Sequence, residues 1–324
     1  MFSLLYGRHP LLYDRTLDAR VPPQLTHTLR RAGYRSSYWT ASHPEWMRME
    51  EFLNGRNFDE VHFEPTDDWP AADRAILGRI SRSLAENPDR PQLVGVFLMS
   101  THYPYKYPPA YERHAPALSA KTNLLADFGA QTREFHQAIW NRYLNALAFA
   151  DDTVSDFLQG LDLTRNLVII TGDHGESFYD DGTWMHWGGT LSEVQTRVPM
   201  VIRGPGVEAG VIARATLHSD LVPTVLHALA GRAVPIEHVY GRDLLAAGEW
   251  PDEALLAKPG RLSDGVLVRG QERLDLRVSL DSPSLYTRGM VDINGDLRRD
   301  AHPPRDEAAA WVTSIRGQIE RLAR

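Results

Sequence analysis

Cysteine is absent from the 324-residue chain. Its absence excludes disulfide bridges and thiolate ligands, so any metal site must be built from oxygen and nitrogen donors. No stretch reaches the roughly 18 consecutive apolar residues that a membrane-spanning helix needs. The first residues also lack the charged and apolar pattern of a signal peptide. The sequence therefore predicts neither feature within these residues.

Blocks of lysine and arginine are also missing, and the formal net charge is -7. This balance argues against non-specific nucleic-acid binding and provides no polybasic patch for a membrane surface. The hydrophobic content of 43% and the charged content of 24% are ordinary for a globular protein. A chain of this length can bury a large core.

The most informative segment runs from Asn166 to Ser177 and reads Asn-Leu-Val-Ile-Ile-Thr-Gly-Asp-His-Gly-Glu-Ser. Leu167 to Ile170 predict a strand buried on both faces. Asp173 and His174 follow its carboxyl end, where open parallel sheets bind their ligands. A carboxylate beside an imidazole suits Zn²⁺ or Mn²⁺ better than Ca²⁺. By itself the triplet fits a solvated turn equally well.

Three further segments favour the metal-site interpretation. His186 follows His174 by twelve residues, in Thr-Trp-Met-His-Trp-Gly-Gly. Val198 to Ile202 predict a second short strand. Ser100-Thr-His-Tyr-Pro-Tyr105 follows the apolar run Leu93 to Met99, so His102 also stands just past a predicted strand.

In order along most of the chain, these segments resemble the sulfatase and alkaline phosphatase superfamily. The resemblance is strongest to the branch of phosphoethanolamine transferases, lipoteichoic-acid synthases and sulfatase-like inner-membrane proteins. The segments that carry it are Leu98–Tyr105, Tyr143–Asp151, Thr171–Glu176, Met185–Gly188, Gln195–Met200, His218–Gly231 and Gly241–Leu245. Each is short, but their order and spacing are specific.

The resemblance implies a divalent metal held by Asp173 and His174, with Zn²⁺ or Mn²⁺ ahead of Ca²⁺ or Mg²⁺. A bound cation offsets the charge of a sulfate or phosphate ester and lowers the pKa of an attacking hydroxyl. His102 and His186 would donate a proton or a hydrogen bond to the leaving oxygen. Arg197 would bind an anionic group of the substrate.

Each assignment has a structural alternative. His102 and His186 would instead be satisfied by backbone carbonyls under a loop, and Arg197 would form a structural ion pair. Glu176 would either orient His174 or serve as a solvated cap. Three tyrosines are expected either to line an apolar or lipid-facing groove or to fix a long loop (Tyr103, Tyr105, Tyr107). The remaining residues are expected to pack or lie at the surface (His114, His136, His218, His227), to lie on a helix face (Arg133, Arg142) or to stabilise the fold internally (Asp151).

Met1 to Gly7 resembles the segment that follows the family's nucleophilic Thr or Ser by a few residues. We therefore expect that nucleophile, and a strand carrying another metal-binding carboxylate, to lie before residue 1. Either the chain is truncated or its lineage lost them, and roughly half of the metal site would remain. Ser3 occupies a position that the family does not use for attack. A membrane anchor, with this domain in the periplasm, would also lie upstream.

Strands that alternate with helical stretches predict an α/β fold. The resemblance implies an alkaline-phosphatase-like three-layer α/β/α sandwich with a mostly parallel sheet. Helices are expected over residues 21–33, 67–86, 135–161 and 305–322, and strands over 34–41, 265–269 and 273–278, besides those named above. We expect a core domain over residues 1–257 and a small antiparallel subdomain with a terminal helix over 258–324.

Two functions follow from these expectations. The first is a metal-dependent hydrolase or transferase of sulfate or phosphate esters, lipid-linked or glycan, with little or no activity in this chain because the nucleophile is absent. The second is a catalytically dead sulfatase-like module that binds a lipid or a protein. The sequence does not distinguish sulfate from phosphate.

Overall fold

The computed structural model describes residues 1–119, 132–186, 191–259, 262–270, 272–279, 286–291 and 305–323. The chain divides into two compact units. Unit 1 contains residues 1–25, 163–177 and 186–324, and unit 2 contains residues 26–162 and 178–185. Trp187 and Gly188, which belong to a segment interpreted above, lie outside the described residues.

The described helices are α1 (Phe2–Tyr6), α2 (Tyr13–Asp18), α3 (Gln24–Arg31), α4 (Met49–Phe52), α5 (Trp69–Glu86), α6 (Arg133–Gln159), α7 (Glu193–Thr196), α8 (Leu221–Ala230) and α9 (Arg305–Ala323). The described strands are β1 (Arg35–Thr40), β2 (Glu60–Phe63), β3 (Gln92–Phe97), β4 (Val168–Thr171), β5 (Met200–Arg203), β6 (Glu253–Ala257), β7 (Leu262–Arg269), β8 (Glu272–Ser279) and β9 (Tyr286–Val291).

Unit 2 contains a parallel sheet in the order β2-β1-β3. The central strand β1 is almost wholly buried. One face of helix α5 contributes Ile76, Leu77 and Ile80 to a core that also contains Trp39 of β1. The apolar residues of α5 recur at helical spacing, so a single face of the helix covers this sheet.

The long helices of unit 2 begin at side chains that cap their first turns. The Asp68 carboxylate accepts a hydrogen bond from the Ala71 amide at 3.2 Å at the start of α5. The Thr132 hydroxyl accepts one from the Phe135 amide at 3.2 Å at the start of α6. These caps satisfy amides that have no partner within the helix. They confirm the helices expected over 67–86 and 135–161, with starts displaced by two residues.

In unit 1, strands β4 and β5 form an antiparallel pair, with Ile169 opposite Ile202. The expectation that Leu167 to Ile170 is buried on both faces is wrong, because Ile170 is 41% exposed and Val201 opposite it is 57% exposed. Among the described strands, β4 pairs only with β5. The parallel pairing is therefore confined, among the described strands, to β1, β2 and β3.

The remaining strands of unit 1 form an antiparallel sheet in the order β6-β7-β8-β9. Leu255 of β6, Leu267 of β7 and Leu276 of β8 pack with Trp311 and Ile315 of α9 in one apolar cluster. The strands expected over 265–269 and 273–278 and the final helix are confirmed. No described helix is long and apolar enough to cross a membrane.

Candidate metal turn and flanking histidines

The turn after β4 places a carboxylate and an imidazole side by side. The Asp173 carboxylate accepts a hydrogen bond from the His174 amide at 3.1 Å. The His174 ring atom Nδ1 lies 2.8 Å from the Gly175 carbonyl oxygen. Because a carbonyl only accepts, Nδ1 carries the proton, and Nε2 keeps its lone pair in the neutral ring. Nε2 lies 3.7 Å from the Asp173 carboxylate.

Glycine is required at position 175 because another segment crosses this turn closely. The Gly175 amide donates to the Gln195 carbonyl at 2.8 Å. A Cβ atom at Gly175 would lie 1.9 Å from the Val194 carbonyl oxygen, well inside van der Waals contact. The short helix α7 therefore fixes the backbone beside His174.

His186 pairs with Glu176 within unit 1. Its Nδ1 atom lies 3.1 Å from the Glu176 carboxylate, and both side chains are largely buried. The rings of His186 and His174 lie 4.3 Å apart. The interpretation of Glu176 as the partner of His174 is therefore wrong, because His174 bonds to a backbone carbonyl and Glu176 orients His186 instead.

His218 also reaches this turn, which its position in the sequence did not indicate. Its Nε2 atom lies 3.3 Å from the Thr171 hydroxyl. Burial lowers the pKa of His218 to about 4, so the ring is neutral near pH 7. The expectation of a surface or packing role overlooked this contact, because 47 residues separate the two partners.

The side-chain donor atoms of this turn are of the types that bind a divalent cation. Asp173 offers a carboxylate oxygen, and His174 offers an imidazole nitrogen whose opposite ring atom is held by a carbonyl, as is usual for metal-binding histidines. This set suits Zn²⁺ or Mn²⁺. Within the residues that the structure describes, no group of three or more His, Asp or Glu side chains is arranged to hold a metal.

His102 lies in unit 2, in the turn that follows β3. Its Nδ1 atom lies 2.8 Å from the Tyr103 carbonyl oxygen. The rings of Trp46 and Trp69 approach the imidazole nearly at right angles, with centroids at 5.5 and 5.6 Å. His102 therefore has the predicted position after a strand, and it also makes the backbone-carbonyl contact that the structural alternative predicts.

A buried carboxylate, which the sequence did not single out, supports the turn after β3. Asp73 of α5 accepts hydrogen bonds from the Met99 amide at 3.1 Å, the Ser100 amide at 2.9 Å and the Ser100 hydroxyl at 2.5 Å. Burial raises the pKa of the Asp73 carboxyl, while these hydrogen bonds oppose the shift. Asp73 thus fixes the chain just before His102.

The other interpreted residues have varied surroundings. Arg197 forms an ion pair with Glu193 at 2.7 Å and remains 78% exposed. Arg142, expected on a helix face, is buried and donates to the carbonyls of Tyr105 and Leu118. Its α6 position faces the loop rather than the solvent. Asp151, expected to stabilise the fold internally, is exposed on α6 instead.

The Tyr-rich loop packs within unit 2 rather than forming a separate domain. Tyr105 is buried in a cluster with Ile139, Trp184 and Met185, and Tyr103 and Tyr107 pack against that cluster. These contacts support the interpretation that the tyrosines fix a long loop.

A profile of the sulfatase family matches residues 1–231. The chain is 26% identical over 242 residues to a Drosophila melanogaster extracellular sulfatase SULF-1 homolog, covering 64% of this chain and 21% of that protein. It is 22% identical over 182 residues to a Kdo(2)-lipid A phosphoethanolamine 7''-transferase of Escherichia coli K12, covering 54% of this chain and 30% of that protein. The chain thus spans less than a third of either relative.

Two solved structures show the same fold. The lipoteichoic acid synthase LtaP from Listeria monocytogenes superposes with a TM-score of 0.65 at 15% identity, covering 99% of this chain and 76% of that one. The putative sulfatase yidJ from Bacteroides fragilis superposes with a TM-score of 0.67 at 13% identity, covering 99% and 84%. They confirm the predicted α/β fold class.

Proposed function

The chain belongs to the sulfatase family, and we propose that it is built for metal-dependent hydrolysis or transfer of a sulfate or phosphate ester. The observation that carries the proposal is the turn after β4. Asp173 and His174 lie 3.7 Å apart there, and the His186 ring lies 4.3 Å from that of His174. Sulfatase and transferase relatives both act on esters, which supports this reaction class.

Asp173 and His174 are the residues proposed to hold the metal, Zn²⁺ or Mn²⁺. A bound divalent cation supplies positive charge that offsets the negative charge of the ester. The Gly175 carbonyl holds the His174 ring in one tautomer, so the nitrogen next to Asp173 is the ligand atom.

His186 is proposed to hold a proton for the leaving oxygen. The Glu176 carboxylate accepts from His186 Nδ1 at 3.1 Å, which fixes the ring orientation. A positioned imidazole can act as a general acid. His102 is proposed to have the same chemistry in unit 2, where the Tyr103 carbonyl fixes its ring.

Covalent catalysis in such a reaction needs a hydroxyl nucleophile. None of the segments that resemble the family's motifs corresponds to the one that carries the family's nucleophile, so we propose weak turnover at most for these 324 residues. The proposed substrate is a sulfate or phosphate ester on a glycan or a lipid. Arg197, whose guanidinium is largely exposed, is proposed to contact an anionic group of that substrate.

A binding or regulatory module is the second candidate. It is favoured by the absence, in the described part of the chain, of a group of three or more metal-ligating side chains. In that case the fold would persist, the metal would bind weakly, and a lipid or protein partner would occupy the substrate surface.

Metal analysis tests the first proposal. The purified chain is loaded with Zn²⁺ or Mn²⁺, desalted and analysed for metal content, together with Asp173→Ala. The control is Asp243→Ala, because Asp243 also pairs with a histidine, His227, at 2.7 Å. Stoichiometric metal that only Asp173→Ala loses supports the proposal.

Ester turnover is then measured on the loaded chain, with 4-nitrophenyl sulfate and 4-nitrophenyl phosphate. Even slow release that Asp173→Ala abolishes supports the enzyme. Metal content equal in Asp173→Ala and the parent would reject the assigned ligands. Tight metal binding with no turnover of either ester would count against the enzyme, whereas weak metal binding by the parent chain would favour the binding module.

A further inference from the structure

A cavity in unit 2 has the buried Arg142 side chain in its wall. Its volume of about 690 Å³ is within the range of small-molecule sites. The described lining comes from the start of α5, from the loop that follows β3 and from Arg142 of α6. That lining contains neither His102 nor a residue of the turn after β4. The cavity therefore shares no described lining residue with the proposed ester site.

The Arg142 guanidinium is buried without a counter-ion from the described part of the chain. Arg142 is 2% exposed. Its Nε atom donates to the Tyr105 carbonyl at 3.2 Å, and its Nη1 atom donates to the Leu118 carbonyl at 2.9 Å, which fastens the loop to α6. Nη2 makes no hydrogen bond to a described residue. Because a buried charge without a counter-ion costs free energy, a bound anion would stabilise this guanidinium.

The surroundings of Arg142 are consistent with this description. Burial lowers the pKa of the guanidinium, and the neighbours that oppose the shift are the phenols of Tyr107, Tyr103 and Tyr105 rather than carboxylates. Tyr107 also lines the cavity. Its hydroxyl is a hydrogen-bond donor that a ligand anion can accept from.

The acidic side chains of the lining differ in their partners. The Asp67 carboxylate lies 3.8 Å from the Lys106 ammonium. The Asp68 carboxylate caps the first turn of α5. Glu112 is exposed, and its carboxylate forms no ion pair with a residue that the structure describes. One buried cation and one exposed anion, Arg142 and Glu112, thus remain without a charged partner among the described residues.

The two free charges favour a ligand that carries both a carboxylate and an ammonium group. The N–H groups of a guanidinium form a planar fork that matches a carboxylate in shape and in charge. A dianionic phosphate ester would leave one negative charge uncompensated at this buried position, and the oxygens of a sulfate ester are not coplanar. The exposed Glu112 carboxylate attracts a cationic group.

We propose that this cavity binds a small zwitterion of the amino-acid class, with its carboxylate on Arg142 and its ammonium group towards Glu112. Tyr107 donates its hydroxyl to the same carboxylate. The inference goes beyond the proposed function, because it assigns a second ligand to unit 2 and uses none of the residues proposed for the ester. Arg142 is then a binding residue besides fastening the loop.

NMR titration of the full chain tests the site with two matched series of probes. The amino acids are glycine, 4-aminobutanoate and 6-aminohexanoate, and the carboxylates without an ammonium group are acetate, butanoate and hexanoate. We expect the best amino acid to bind about threefold more tightly than the carboxylate of the same length, since Glu112 adds one exposed ion pair. Glu112→Gln should remove that difference and leave the binding of the plain carboxylates unchanged.

Arg142→Lys tests the buried end of the site. It keeps a positive charge but loses the planar fork, so it should weaken the binding of both series more than tenfold. Arg113→Lys is the matched control, because Arg113 is another arginine of unit 2 that pairs with Asp152 at 2.8 Å outside the described lining. It should leave the binding of every probe unchanged. Thermal unfolding of the Arg142 variant checks that its fold is intact, and Glu112→Gln tests the site without altering a buried residue.

Four results would overturn the proposal. They are equal losses in Arg142→Lys and Arg113→Lys, an unchanged preference for amino acids in Glu112→Gln, tighter binding of ethyl sulfate or ethyl phosphate than of every carboxylate, and no binding of any carboxylate at millimolar concentration. The proposed function is judged separately, by the metal content of Asp173→Ala. Asp173→Ala should bind the amino acids as the parent chain does.

Discussion

The turn after β4 and the turn after β3 both place a histidine just past a strand, but different forces hold the two rings. His174 has a carboxylate beside it and a glycine behind it, and His186 and Glu176 supply further polar groups nearby. His102 has two tryptophan rings beside it, and the buried Asp73 anchors the chain before it.

This difference separates a turn that offers oxygen and nitrogen donors from a turn whose histidine lies beside aromatic rings. Oxygen and nitrogen donors near one another lower the energy of a bound positive ion. The aromatic rings beside His102 provide apolar area for packing. A strand end followed by histidine therefore does not by itself identify a metal ligand.

Alanine substitution of each histidine in turn tests the difference between the two turns. His174→Ala is expected to weaken Zn²⁺ or Mn²⁺ binding more than 100-fold, because one of two described donors is lost. His102→Ala should leave the metal content unchanged. The metal content of the two desalted variants is measured by inductively coupled plasma mass spectrometry. Equal metal loss in both would contradict the assignment of His174, and not His102, as a metal ligand.

His218, which contacts Thr171 at the end of β4, predicts that the stability of the fold depends on pH. The pKa of His218 is about 4 in the folded chain, against an ordinary value of 6.5. The unfolded chain therefore binds the extra proton between these values, so stability rises with pH over this range and is lost as pH falls from 6.5 towards 4. The difference corresponds to about 3 kcal/mol in unfolding free energy.

Denaturant unfolding of the metal-free chain between pH 4 and 7 measures this slope. His9 titrates in the same range, because burial lowers its pKa to about 4, so it serves as an internal reference. His218→Gln should remove about half of the pH dependence of the unfolding free energy that His9 and His218 produce together. An unchanged slope would show that His218 is already solvated in the metal-free chain.

Asp73 provides the corresponding test for the turn after β3. Asp73→Ala leaves two buried amides and the Ser100 hydroxyl without their acceptor, and we expect a loss of about 2 kcal/mol in unfolding free energy. Asp151→Ala, on an exposed position of α6, is the control and should change stability by less than about 0.5 kcal/mol. Chemical denaturation gives the unfolding free energies of the two variants, provided that their denaturant dependences have the same slope. Equal losses in Asp73→Ala and Asp151→Ala would contradict the anchoring role of Asp73.

Long periodic segments with clear end signals were predictable. The Asp68-Trp-Pro start of α5 combines a capping carboxylate with a proline in the first turn, and Gly33 after α3 adopts a positive φ of 89° that suits a helix end. The alkaline-phosphatase-like fold followed from motif order. The antiparallel pairing of β4 and β5 did not, since a short apolar run carries no information on strand direction.

The site was predictable only where its residues are close in sequence. Asp173 and His174 are adjacent, and the spacing of His186 matched a family motif. Asp73 is an ordinary polar residue within a helix, and its partners lie 26 and 27 residues away. His218 likewise meets the turn only through tertiary structure. Contacts of this kind depend on packing that local patterns do not encode.

Arg197 gives the smallest predicted effect and extends the comparison to an exposed charge. Its ion pair with Glu193 has an i,i+4 spacing and a largely exposed guanidinium, so Arg197→Ala should change the unfolding free energy by less than about 0.5 kcal/mol. We expect it to raise the dissociation constant for ethyl sulfate about threefold, because one exposed cation near an anion is screened by solvent. Glu193→Ala, which releases the guanidinium, should strengthen binding slightly. Opposite changes in the two variants, measured by NMR titration, would assign Arg197 to the substrate, whereas unchanged binding in both would leave it a surface ion pair.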